Sequence, residues 1–528
     1  MWWLLGGQVM TEEGKLPTPR RSTPAAIARR LSDRPAAPLI AELLERFLGS
    51  PLPFGIRAWD SSITAPPGAP VVLVNSPRAL RRLALSPNEL GIARCYVTGE
   101  IDIEGDFASG LAEIWGTLRA RRTGRVRPKL SGISPALALA LMPGALGLPP
   151  RRPASEARIG GVLHSPGRDR SVIHHHYDLS NAFYEILLDK TMAYSCAYWT
   201  SDLPGYGLAE AQLDKLDLIC RKLGLHSGSR LVDIGCGWGS LAIHAAHHYG
   251  ASVLAVTLSA NQAEYVTKRA MALGLTSQIE VRLADYREIG ESGADAVASI
   301  EMGEHVGRQN YPLFAASLAT MLAPGGRLLL QQMSRPEESP GGGPFIEAYI
   351  APDMDMRPVG ETISLLEEAT FEIRDVEALR EHYARTIWAW VSVLNEREDE
   401  LTALVGSETI RVWRLYLTAA ALGFESGRSG VDQILAVRPN KDGRVAMDLT
   451  RQAWSPNAAD WPRQISDDTG RIGRAQQQQA RAARSRGGET PDAETTRHER
   501  QNPTPPGQLL TSRPLRANTS LPRARSQT

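Results

Sequence analysis

The feature that most constrains this chain is the run Val232-Asp-Ile-Gly-Cys-Gly-Trp-Gly239. An apolar segment, Arg230–Ile234, leads into three alternating glycines and then into Ser240–Tyr249, whose pattern is helical. Glycine suits places where the backbone turns with positive φ or must come close to a ligand. Strand, glycine turn and helix make the opening of a βαβ array, and the chain continues that rhythm. Ser252–Thr257, Ile279–Ala284, Ala294–Ile300 and Arg327–Met333 read as strands; Ala260–Leu273 and Pro312–Leu322 read as helices. The alternation predicts an α/β fold, a largely parallel sheet with helices on both faces. Ligands of such sheets sit at the carboxyl ends of the strands.

With 528 residues there is room for more than this block. Residues 172–445 hold the βαβ array. Residues 25–147 mix short strands such as Val71–Asn75 with helical runs such as Ala37–Phe47 and Phe107–Leu118, which reads as a smaller N-terminal α+β domain with a lipid or membrane role. A Pro/Arg/Gly-rich linker, 148–171, separates the two. Residues 1–24 and 446–528 lack apolar periodicity and are expected to be disordered. Fifty-nine basic against 58 acidic residues leave no global charge that selects nucleic acid. The charge is uneven, however: from Arg451 onward there are 13 arginines, no lysine and 7 acids. A second basic segment, Arg119 to Lys129, precedes the apolar Ile133–Leu148, which is too short and too interrupted by Pro and Gly to cross a bilayer. Cys95, Cys196, Cys220 and Cys236 form no disulfide framework and no CxxC pair. Met1–Leu5 lacks the basic start and apolar core of a signal peptide. A reducing, cytoplasmic compartment is the expectation.

The GxGxG spacing resembles the S-adenosylmethionine loop of class I methyltransferases more than the GxGxxG of nicotinamide sites. A glycine turn with no ligand is the bland alternative. Asp285-Tyr286 argues against it, standing where such folds bond the adenine amine and cover its ring. After the second strand the usual ribose-binding acid is missing, and Thr257, Ser259 and Gln262 offer polar groups instead. His174–Asn181, Met192–Trp199, the glycine loop, Thr257–Gln262, Asp285-Tyr286, Glu301–Gly307 and His382–Thr386 follow in the order seen in cyclopropane-fatty-acyl-phospholipid synthases and in mycolic acid and tuberculostearic acid methyltransferases. The resemblance covers about 172–440, and extends weakly to Gly91–Gly99. It implies a Rossmann-like class I S-adenosylmethionine-dependent methyltransferase fold. It also implies Tyr194, Ser195, Asp233, Gly235, Gly237, Gly239, Thr257, Gln262, Asp285 and Tyr286 as cofactor contacts.

The implied substrate is the cis double bond of an unsaturated phospholipid acyl chain. Methyl transfer to it leaves a carbocation, which aromatic faces and a carboxylate can stabilise in a dry site. The family holds a bicarbonate base with a Cys, a Glu, a His, a Tyr and a contact at an Ile; Cys196, Glu304 and Tyr383 match three of these. The family's strand-end His-Thr-Ile falls on Gln331-Gln332-Met333, and glutamine cannot carry a proton at neutral pH as histidine does. Either Gln331 holds bicarbonate by its amide and a cyclopropane forms, or the proton is lost after a hydride shift and an exocyclic methylene forms. The second product is preferred, because tuberculostearic relatives resemble this chain at Gln331 and the segment Phe345–Asp355 also departs from the synthase pattern. A reductase partner would then complete a methyl branch. His305 is an alternative base, Trp388 and Trp390 read as core, and Cys196 reads as a site-lining thiol. His174-His175-His176 has no second cluster with metal spacing, so no metal is expected. Docking of the basic segment on anionic head groups would place the protein on the inner face of the membrane. A lipid-binding scaffold and a small-molecule or RNA methyltransferase are the rival readings. Oligomeric state is open.

Overall fold

Side chains alternate across a strand, so a strand with successive apolar residues must be buried on both faces. Arg230–Ile234 (β5) shows the consequence. Leu231 packs with Ala255, Ala298 and Leu329 on one face, and Val232 packs with Val256, Val297 and Leu330 on the other. The computed structural model describes residues 34–120, 147–169 apart from 158, 159, 162 and 166, 180–336, and 341–454 apart from 446, 448, 452 and 453. Two sheets contain the strands among them. The larger joins β5 to Ser252–Thr257 (β6), Ile279–Leu283 (β7), Ala294–Ile300 (β8), Leu322–Ser334 (β9), Glu372–Ala378 (β10) and Gly430–Val437 (β11), in the order β10-β11-β9-β8-β5-β6-β7. From β7 to β9 neighbours are parallel; β11 runs antiparallel between β9 and β10. The order reverses between β5 and β8, so a crevice opens at their carboxyl ends.

The smaller sheet has the order β2-β1-β3-β4, built from Gly55–Ala58 (β1), Ile63–Thr64 (β2), Val71–Val74 (β3) and Ile101–Ile103 (β4). The helix Ala36–Leu48 covers it with Leu39 and Ile40 against Ile56 and Val74. The helix Glu89–Val97, which contains most of the Gly91–Gly99 signature, lays Ala93 and Val97 against Phe345, Tyr349 and Val412 of the second block. Arg411 reinforces that seam. Its guanidinium donates to the carbonyls of Tyr96 (2.6 Å) and Ile101 (2.9 Å) and to Asp102 (2.8 Å), and lies 4.1 Å from the Tyr96 ring centroid.

Two boundaries differ from expectation. The segment read as a linker is fixed along the second block: Ala157 N–H donates to Ala348 O (2.7 Å), Ser155 bonds Glu408, and Arg168 pairs with Asp353. Structure also continues past 445, since Trp454 is buried with Leu218 and Leu435. Residues 1–24, His174-His175-His176, Arg121 to Lys129, Ile133–Pro143 and the tail beyond Trp454 lie outside the described residues. Among the described residues no helix is long and apolar enough to cross a membrane, and all four cysteines are free and buried.

Candidate active site

A cavity of about 1300 Å³, its mouth included, lies over the carboxyl ends of β5, β6 and β8. The glycine turn forms its floor. Gly235, Gly237 and Gly239 have φ of 80°, 55° and 79°, and the N–H groups of Gly235 and Cys236 both donate to Val256 O, at 2.9 and 3.0 Å, tying the turn to β6. A Cβ on Gly237 would meet no atom within 4 Å, whereas one on Gly239 would meet Val266 at 2.8 Å. The first glycine thus borders open space and the second lets a helix approach. Tyr194, Ser195, Asp233, Gly235, Gly237, Thr257, Gln262, Asp285 and Tyr286 all line this cavity; Gly239 sits just behind it.

The polar groups of the wall are few and specific. Asp233 closes β5, is buried, and leaves Oδ2 without a partner. Burial pushes its carboxyl up to about 7, against the pull of Lys215. An orphaned carboxylate oxygen bordering a cavity fits the ammonium of a ligand. Beyond β6 the Thr257 hydroxyl and Gln262 Oε1 are 2.8 Å apart, and Ser259 caps the helix Ala260–Ala272. With Gln262 Oε1 so engaged, its amide nitrogen is the group left to donate. Asp285 is gripped by both arms of Arg287, which also pairs with Asp169 at 2.8 Å. The Tyr286 ring meets Phe314 edge-on at 5.1 Å. His305 lines the cavity, and burial lowers its pKa to about 4, leaving a neutral, weak base. Trp390 is core, with its ring 5.2 Å from Tyr194; Trp388 is half-buried and bonds Glu425.

Among the charged lining residues to which the sequence reading gave no role, Asp169, Arg287, Asp353, Lys215 and Glu301, the last two bear most on the chemistry. Lys215 is 1% exposed and donates to Ser195 Oγ at 2.9 Å. Burial lowers its pKa, while Glu301, Asp189 and Asp233 pull it up. A lysine on the apolar face of the helix Leu208–Leu223 was its available signal. Glu301 closes β8 with φ of 53°, a left-handed conformation uncommon outside glycine. Its Oε1 accepts from the Cys196 N–H (2.7 Å) and Gln331 Nε2 (2.8 Å), and its Oε2 from the Tyr383 hydroxyl (2.6 Å). Cys196, Gln331 and Tyr383, expected to surround a bound anion, thus converge on a side chain of the protein.

Glu304 is placed differently from its expected role. It is fully buried, is not among the lining residues, and accepts a hydrogen bond from the Met333 N–H. Burial, then the nearby Glu301, push its carboxyl up to about 8. The Cys196 thiol turns toward the carbonyls of Ala197 and Leu379, and burial pushes it well above its ordinary value. Gln331 is oriented from behind. Lys222 Nζ, which can only donate, bonds Gln433 Oε1 at 2.9 Å; Gln433 Nε2 then donates to Gln331 Oε1 at 2.9 Å. Gln331 Nε2 is left to face Glu301. The lysine therefore sets the direction of the whole amide chain.

Residues 164–434 match the family described as mycolic acid cyclopropane synthetase. The chain is 36% identical over 433 residues to a "probable fatty acid methyltransferase" of Mycobacterium tuberculosis, covering 79% of this chain and 98% of that one. It is 35% identical to a protein of the same description from Pseudomonas putida, over 78% of this chain and 99% of that one. Identity to the tuberculostearic acid methyltransferase of M. tuberculosis is 32%, over 76% and 92% of the two chains.

Proposed function

Because the chain belongs to the mycolic acid cyclopropane synthetase family and is an S-adenosylmethionine-dependent methyltransferase of lipid acyl chains, we propose that it methylates a cis double bond of phospholipid acyl chains to a methylene-branched product. S-adenosylmethionine, when bound, supplies an electrophilic methyl group on a sulfonium. The cavity fits it: Asp233 Oδ2 for the ammonium, the glycine turn for close backbone approach, and Gln262 and Tyr286 for the nucleoside end. An alkene is a poor nucleophile, so the protein must hold the acyl chain at contact distance and keep water out. Tyr194 borders the cavity and is backed by Trp390 and Trp413 at 5.2 and 5.9 Å, a set of aromatic faces suited to a transient cation.

The observation that carries the product assignment is the fixed polarity of Gln331. Its amide oxygen is engaged by Gln433 and its nitrogen donates, so Gln331 itself accepts no proton where the synthases carry histidine. Deprotonation in the synthase manner, through a histidine-tuned base, is unsupported there, and a hydride shift before proton loss gains time to occur. The test is lipid from a host supplied with oleoyl chains. Methylene and cyclopropane products share a mass, so proton NMR must separate vinylidene from ring signals. A cyclopropane as sole product would overturn the assignment, and Gln331→His is expected to raise the cyclopropane fraction. Reducing the methylene takes two electrons and two protons that methyl transfer does not supply, so a reductase partner would complete a methyl branch. A cytoplasmic, membrane-peripheral location follows as part of the proposal, since the acyl chains lie in a bilayer.

A further inference from the structure

We propose that Glu301 is the catalytic base of this enzyme, a carboxylate of the protein seated in the cradle where the family's resemblance places bicarbonate. The inference rests on the methyl-transfer reading above and names the proton acceptor within it. The cradle is complete without a guest: a backbone N–H, an amide N–H and a phenol hydroxyl are all spent on the two oxygens of Glu301. A second anion at the same donors would face an adjacent like charge and lose those bonds. The backbone is strained here as well: Glu301, like Met192 and Asp353 of the same cavity, has a left-handed φ (53°), and it carries the side chain under Cys196 and toward Tyr383. Lys215, buried beside the same cavity, supplies the countercharge that favours the ionised form. Glu301 borders the cavity, whereas Glu304 does not.

The step balances without another reagent. The alkene π pair forms the new bond to the methyl carbon, and the sulfur keeps the pair of the broken S–CH3 bond. A hydride moves from the methyl-bearing carbon to its cationic neighbour. One methyl C–H then breaks: its electron pair becomes the exocyclic double bond and its proton goes to Glu301. If the shift is skipped, the same proton removal closes a ring, so the identity of the base is independent of the product.

The test uses the full-length enzyme with oleoyl phospholipid vesicles, following S-adenosylhomocysteine release in carbonate-free buffer and after adding bicarbonate. The wild-type rate is expected to be the same in both. Glu301→Gln should lower kcat by about 10²-fold or more while keeping cofactor affinity. Glu301→Gly suits the local φ, so it should fold, and it reopens the cradle: its low rate should recover with bicarbonate. Calorimetric titration of bicarbonate without cofactor should give binding to Glu301→Gly and none to wild type. A wild-type enzyme that needs bicarbonate, or a Glu301→Gln variant of full activity, overturns the proposal. Should the wild type methylate no lipid at all, the methyl-transfer reading fails, and the calorimetric comparison still decides what occupies the cradle.

Discussion

Glu301 and Glu304 stand three residues apart, and their surroundings divide their work. Glu304 is raised from 4.5 to about 8, first by burial and then by the charge of Glu301, with Arg357 pulling the other way. Between those two values the folded protein keeps a proton that the unfolded chain has released, so stability falls as pH rises through this window, by at most about 1.4 kcal/mol per unit. Glu304→Gln should flatten that decline in urea unfolding curves recorded at a series of pH values. Glu301 is also raised by burial, against hydrogen bonds from Tyr383, Cys196 and Gln331 and the charge of Lys215. As a base it must be ionised, so kcat should fall as pH drops through its raised pKa, and a pH–rate profile with no acid limb would count against it. At the cavity floor, Gly237→Val combines a disfavoured φ of 55° with a branched side chain beside the ligand space. Loss of S-adenosylmethionine binding by calorimetry, with a near-native circular dichroism spectrum, is the expected outcome.

At the scale of strands and helices, the relay from Lys222 through Gln433 and Gln331 to Glu301 makes a prediction of its own. Lys222→Met removes the donor that sets the chain's direction, so either amide can reverse and present an oxygen to the carboxylate. The expected result is a fall in kcat of about tenfold, with KM for S-adenosylmethionine unchanged. An equal change in both would make Lys222 merely structural. None of this relay was legible in the sequence, because its members come from a helix, two strands and the end of a third, brought together by the antiparallel insertion of β11. The parallel half was legible: β5, β6, β7 and β8 announce themselves by apolar runs and a glycine turn, and observed ends differ from expectation by a residue or less. Glu372–Ala378 was not, since its charged alternation is that of an edge strand. Motif spacing led to Glu304, and the backbone torsion that brings Glu301 to the cavity instead has no signature in residue type.

Across the whole molecule, the N-terminal block is joined to the second block through few but concentrated contacts. Arg411→Ala would remove the guanidinium donors to Ile101 O, Asp102 and Tyr96 O, the last of which keeps the Gly99 N–H, so a loss of about 2 kcal/mol is expected, read as a lower Tm and faster proteolysis between the blocks. The proposed phospholipid substrate, if drawn from a bilayer, calls for docking. Arg119, at the end of the helix Phe107–Ala120, begins the basic segment, and sedimentation with anionic vesicles should exceed that with neutral ones and weaken with salt. Equal binding to both would remove the electrostatic dock.

The amide relay also bears on how the enzyme can be taken apart. From Glu377 on β10, through Lys222 to Gln433 on β11, Gln331 on β9 and Glu301 just past β8, one polar thread crosses four adjacent strands. Recombination breakpoints between the parallel half and the antiparallel edge would cut that thread, leaving a chimera with an intact cofactor pocket and a misdirected carboxylate. The setting of this carboxylate is therefore inherited as a block, and exchanging it with a relative means moving those strands and the helix Leu208–Leu223 together.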